Sequence, residues 1–298
     1  MKKVMFKSLL MAAVFSGLIF TSCKKSDSGG NTTNPNDPSN VATKNLVAYF
    51  PFDGNGNEKL TGLVPTTTTS KVKFVTGQKG QAYQGDSLAY MLYNLPSTSA
   101  LTNLRGFTYS CWVKAPQVPT AVAPVPVFFQ INGGSDVNWG NFNLTQDRSN
   151  ADSLNLKLVM YDDNAPSWKT QFIGFSSPSL PASTWMYLTL SYDSASSKFN
   201  VYVKGQKIVF KDTMVTNRYG DAPTSGGLPL GSLAFKNATQ ATIGTWWDLA
   251  TGGTTVQQQN PWMGYFKGEM DELRIYNRAL TDAEVLTLYQ DEVATLNP

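Results

Sequence analysis

"GFTYSCWVKA" (residues 106–115) alternates: Phe107, Tyr109, Cys111 and Val113 fall on one side of an extended chain, and Thr108, Ser110, Trp112 and Lys114 on the other. Side chains two apart share a face in a β-strand, so this stretch predicts a strand with one apolar face. Cys111 lies on that face and reads as a small buried hydrophobe rather than a reactive thiol.

Runs of the same kind extend outward in both directions, parted by turn residues. Upstream stands "LVAYFPF" (46–52). Downstream come "PVFFQI" (126–131), "LNLKLVMYD" (154–162), "TQFIGF" (170–175) and "WMYLTLSYD" (185–193). Then follow "KFNVYVKGQKI" (198–208), with a turn at Lys204-Gly205, "QATIGTW" (240–246) and "GYFKGEMDELRIYN" (264–277). Aromatic content of 12 %, charged content of 15 %, 24 Gly and 16 Pro favour an all-β chain. One helix is signalled, in "ALTDAEVLTLY". Thr281 and Glu284 have capping-box spacing, and Leu280 and Val285 that of a hydrophobic staple. Many strands and one late helix predict a β-sandwich, with residues 45–298 as one domain.

The N-terminus reads as an export signal. Lys2, Lys3 and Lys7 precede an apolar run from Leu9 to Phe20, then Thr21-Ser22-Cys23. "IFTSC" resembles a bacterial lipobox, which implies cleavage after residue 22 and lipidation of Cys23. Residues 24–44 are rich in Ser, Asn, Gly and Pro and read, after Cys23, as a flexible tether.

Removing the three leader lysines from the 24 Lys+Arg leaves 21, against 21 Asp+Glu. A chain without basic excess gives no sign of nucleic-acid binding. Histidine is absent, which excludes Ser-His-Asp and Cys-His catalysis and histidine-ligated zinc. Carboxylate chemistry, a hard cation on oxygen ligands, or binding without chemistry remain.

The motifs also resemble a known family. "LVAYFPFDGNGNE", "GFTYSCWVKA", "WMYLTLSYDSASSKFNVYVKGQKI" and "FKGEMDELRIYNRALTDAEVLTLY" are similar to laminin-G-like, concanavalin-A-like lectin/glucanase jelly rolls of bacterial surface proteins. With the lipobox, the chain looks like a Bacteroidota lipoprotein. The resemblance implies a jelly roll of two antiparallel sheets with one short C-terminal helix, held at the outer membrane by lipid alone, on its periplasmic or surface side. It further implies a calcium ion near Asp53 and Asp271, with backbone carbonyls around residues 54–57. Asp53 has a plainer reading as an Asx-type turn before Gly54.

Such modules bind glycans, bind proteins or accompany catalytic domains, so the fold alone does not choose. Laminarinase-type hydrolases share it and use paired carboxylates about 5–5.5 Å apart. "GEMDEL" (268–273) offers Glu269, Asp271 and Glu272. Strand alternation puts Glu269 and Asp271 on one face and Glu272 on the other, which argues against a catalytic pair. The aromatic residues point instead to binding: Trp246, Trp247 and Trp262 flank a Gly/Gln/Thr-rich loop, and Trp139 lies in "NGGSDVNWGN" (132–141). Flat rings stack on sugars, and nearby amides hydrogen-bond hydroxyls. The expectation is a non-catalytic module for a glycan or glycoprotein, with a glycoside hydrolase second and a structural or protein-binding adhesion module third.

Overall fold

Period-two runs become strands in the computed structural model, which describes residues 39–119, 123–134, 138–221, 226–252 and 260–297. The leader, Cys23 and the tether up to residue 38 lie outside the described residues. Among those described, no helix is long and apolar enough to cross a membrane.

The strands, in chain order, are β1 (Leu46–Phe50), β2 (Thr67–Thr68), β3 (Lys73–Thr76), β4 (Gln81–Gln84), β5 (Met91–Asn94), β6 (Phe107–Lys114), β7 (Val125–Ile131) and β8 (Phe142–Asp147). They continue with β9 (Ser153–Tyr161), β10 (Thr170–Pro181), β11 (Met186–Asp193), β12 (Lys198–Val203), β13 (Gln206–Lys207), β14 (Gln240–Ile243), β15 (Met263–Tyr265) and β16 (Glu269–Tyr276). Helices are α1 (Thr213–Thr216), α2 (Trp247–Thr251) and α3 (Asp282–Val293).

They form two eight-stranded sheets. The first runs β13-β12-β11-β6-β16-β4-β3, with β1 added on β16; the second runs β10-β9-β8-β7-β14-β5-β2, with β15 added on β7. All pairings are antiparallel except β7–β15. The core between the sheets takes Phe107, Tyr109, Cys111 and Val113 from β6, as the alternation predicts, against Phe129, Phe142, Leu144 and Leu158 of the second sheet. This is the concanavalin-A-like jelly roll.

The helix α3 covers the outer face of the first sheet. Thr281 Oγ1 accepts from the Glu284 amide, and Glu284 Oε2 accepts from the Thr281 amide, so the capping box forms. Leu280, Val285 and Leu288 bury against Trp112, Tyr187 and Tyr276. Two short helices, α1 and α2, join the single one expected. Residues 39–44, expected in the tether, are packed: Val41 is buried in the α3 cluster and Ser39 Oγ donates to Asp291 Oδ2. The domain therefore starts by residue 39.

Candidate functional site

The carboxylates of β16 depart from the expected alternation. Asp271 pairs with Trp112, but the next pair is Arg274 with Ser110. Glu272 and Leu273 oppose Cys111 alone, a β-bulge, and Glu272 takes φ 54°. Met270, Leu273 and Ile275 thus all reach the core. Glu272 turns to the same outer face as Asp271, which corrects the expectation that they oppose.

Sharing a face does not make them a reactive pair. Glu272 is buried and accepts from Tyr49 Oη at 2.9 Å, with Lys79 Nζ at 3.0 Å and Arg274 at 2.8 Å. Arg274, fully buried, also holds Glu292 of α3 at 2.9 Å and lies 4.4 Å from the Tyr49 ring. Burial pushes the Glu292 carboxyl up, and Arg274 pulls it back. Glu269 pairs with Lys114 at 3.3 Å. These contacts tie helix to sheet.

Asp271 and Asp53 converge on one turn, residues 77–81. Asp271 Oδ2 accepts from the Lys79 amide and Asp53 Oδ1 from the Gln81 amide, both at 2.8 Å. Asp53 thus reaches across to that turn; the local Asx turn belongs to Asn55, whose Oδ1 accepts from the Asn57 amide. A Cβ on Gly77 would sit 2.5 Å from Asp271 Oδ2, and one on Gly80 2.0 Å from Asp53 Oδ1, so only glycine lets the turn approach so closely. Asp271 Oδ1 is buried without a hydrogen-bond partner. Burial pushes this carboxyl up to about 8, and a cation on the free oxygen would reverse that push. The unpaired oxygen fits a hard cation. Among the described residues no group of three acidic, Cys or His side chains could hold a metal, so backbone oxygens would complete the shell. The Gly56 carbonyl, expected among the ligands, accepts from Tyr93 Oη instead.

The tryptophans meet on the outer face of the second sheet. Trp139 and Trp262 stack, with centroids 5.5 Å apart and planes at 19°. Trp246 stands edge-on to both, at 5.3 and 4.9 Å. Trp246 is fully buried and donates Nε1–H to the Val125 carbonyl at 2.6 Å. It cannot stack on a ligand, so its expected binding role is corrected to that of a floor. Val125, Val127 and Met263 complete the support. Trp139 and Trp262 are half-buried and present their outer surface.

Trp247 parts from this cluster. It opens α2, and its indole donates to Gln240 Oε1 at 2.7 Å. Residues 253–259 of the Gly/Gln/Thr-rich loop lie outside the described residues. The sequence reading missed Phe172, which is 48 % exposed and edge-on to Trp139 at 5.1 Å. An apolar residue on the solvent register of β10, between inward Gln171 and Ile173, was the available signal. Lys157 Nζ lies 5.8 Å from the Trp139 centroid. Trp262, Trp139 and Phe172 thus form an aromatic ridge across β7 to β10.

A family model described as the concanavalin A-like lectin/glucanases superfamily matches residues 90–232. None of the curated protein sequences matches. Solved structures share the fold. The binding domain of botulinum neurotoxin DC, solved with rat synaptotagmin II, has TM-score 0.55 at 12 % identity, over 84 % of this chain and 52 % of that one. A structure of botulinum neurotoxin type C, which enters cells through interaction with two ganglioside molecules, has TM-score 0.57 at 10 % identity, over 86 % and 53 %. The binding domain of Paraclostridial mosquitocidal protein 1 has TM-score 0.53 at 14 % identity, over 83 % and 52 %. The chain spans about half the length of each.

Proposed function

We propose that this chain is a non-catalytic glycan-binding module whose site is the Trp262–Trp139–Phe172 ridge. The carrying observation is the stacked, half-buried tryptophan pair held by a fully buried third. The rings are pre-set by packing, so a sugar face meets a surface that loses little freedom on binding. Receptor- and ganglioside-binding domains of the same fold support a binding role. Glu269 and Glu272, engaged in ion pairs, and Asp271, held by the Lys79 amide, support it over hydrolysis.

A glycan array on the purified chain tests this. Trp139→Ala should weaken the best glycan about 5- to 150-fold, by analogy with bases stacked on aromatics. Trp168→Ala, which removes an exposed ring outside the cluster, should leave affinity unchanged. Equal loss in both variants would sink the assignment. Reducing-sugar release that vanishes in Glu269→Gln would favour the hydrolase.

The domain further takes a calcium ion at Asp271 and Asp53, on this reading. An ion bound only to the folded state stabilises by mass action. Chelator should therefore lower Tm, and Asp271→Ala should abolish the calcium dependence. Superimposable melting curves with calcium and with chelator refute the site. A lipid on Cys23, expected from the sequence, would hold the module at the outer membrane.

A further inference from the structure

The strand β10 carries a glycine that nothing in the protein accounts for. Gly174 stands between Ile173 and Phe175, which both enter the core, so it lies on the outer face with Phe172 and Ser176. A glycine inside a strand weakens it, and is kept for a special backbone, for a bulge or for something that approaches closely. The first two reasons fail. The φ of Gly174 is outside the left-handed region, and the register with β9 runs unbroken from Thr170 to Ser176. Nor does the protein itself press on it: a Cβ there would meet no atom within 4 Å. Gly264 of β15 is the contrast, since its Cβ would lie 2.7 Å from that of Pro124.

Register sets Gly174 in a corner of the aromatic ridge. It pairs with Lys157 of β9, whose Nζ lies 5.8 Å from the Trp139 centroid. Phe172, two positions away on the same face, stands edge-on to Trp139 at 5.1 Å. Trp139 thus touches both neighbours of Gly174, while Gly174 itself is exposed. The strand is the edge of its sheet. Beyond that edge lies a cleft of about 190 Å³, with Phe172 and Gly174 on one side and Asp212 and Met214 on the other.

We propose that Gly174 is the floor of a second sugar subsite, so that the ridge takes an oligosaccharide chain: one unit on Trp139 and Trp262, the next on Gly174 with its edge against Phe172. This rests on the ridge being the glycan site. A sugar ring needs a face free of protruding atoms, an apolar wall and polar groups at its rim. Bare backbone at Gly174 is the first, and Phe172 and Met214 are the second. Lys157 and Asp212 are the third. The Lys157 ammonium carries three donors and is paired with Asp147 alone, at 2.5 Å. Asp212 is exposed, and its Oδ1 accepts from the Met214 amide, which leaves acceptor capacity for a hydroxyl. Any side chain at position 174 would fill the space of the ring.

Melting and calorimetric titration of the purified full chain test this, with laminari-, cello-, manno- and N-acetylchito-hexaoses as probes. Gly174→Val should leave Tm unchanged or raise it by up to about 3 °C, because valine suits a strand and its Cβ meets open space. The same variant should weaken the best hexaose about tenfold or more, with Gly174→Ala intermediate. A fall in Tm would show that the fold itself needs the glycine. Unchanged affinity in Gly174→Val would show that no sugar lies there. Either result overturns the proposal. So does a wild-type dimer, seen by light scattering, that Gly174→Val dissociates, since a second copy would then cover the glycine. If Trp139→Ala abolishes binding while Gly174→Val does not, the glycan site stands and the second subsite falls. If the wild-type chain takes none of the hexaoses, both fall.

Discussion

Arg274→Met should destabilise the domain by about 3–5 kcal/mol, the usual cost of breaking a buried ion pair from one side. Arg274 is fully buried and contacts Glu272 at 2.8 Å and Glu292 at 2.9 Å. Lys79 also reaches both acids, at 3.0 and 3.3 Å. Two cations thus face two carboxylates beneath α3. Removing one cation leaves two buried acids on a single ammonium, and water cannot reach them. A second substitution supplies the discriminating result. Arg274→Met with Glu292→Leu removes one charge of each sign and leaves Glu272 paired with Lys79. The double variant should therefore be more stable than Arg274→Met alone. Urea denaturation at constant slope measures both. A single-variant loss below about 1 kcal/mol, or a double-variant loss equal to the sum of the singles, contradicts the account.

Trp246→Ala should cost a similar amount, about 3–5 kcal/mol, as large-to-small changes in a packed interior do. Three losses coincide there. The indole is fully buried, it supports Trp139 and Trp262 edge-on, and its Nε1–H satisfies the Val125 carbonyl. Glycan affinity should fall as well, since the plate loses its floor. Trp246→Phe keeps the apolar bulk and should recover most of both while losing only the indole hydrogen bond to the Val125 carbonyl. Calorimetric melting reads the first effect and titration the second. Full affinity in a folded Trp246→Ala would mean that the ridge does not depend on its support.

The parts of the fold legible in sequence were those where local and global preferences agree. β6 was readable because Phe107, Tyr109, Cys111 and Val113 alternate without interruption. The helix α3 was readable because Thr281 and Glu284 sit at cap spacing ahead of an apolar face. The bulge in β16 was not. Alternation assumes one residue per pleat, and nothing in "GEMDEL" marks where an extra residue enters. Tertiary contacts decide that: Leu273 and Ile275 need the core, so Glu272 absorbs the offset at φ 54°. The short strands β2 to β5 carry too few residues for a pattern. In β8, Phe142 and Leu144 do alternate, but the Gly/Asn-rich stretch just before them reads as loop.

The site was half legible for a related reason. Composition marks tryptophans as candidates, but only packing separates Trp246 from Trp139 and Trp262. The run "QATIGTW" reads as a strand through Trp246; β14 ends at Ile243, and the chain turns at Gly244 with φ 90°. Phe172 comes from a strand far from Trp139 and Trp262 in sequence, and only sheet register brings it into the ridge.

The docking of Ser39 on α3 gives the sandwich a direction. The chain enters on the outer side of the first sheet, where Ser39 meets Asp291. The ridge lies on the outer side of the second sheet. Stacked sheets sit about 10 Å apart, so the two lie on opposite sides of the slab. A ligand on the aromatic side would therefore meet a face remote from Ser39, and binding there would leave the contact between Ser39 and Asp291 undisturbed.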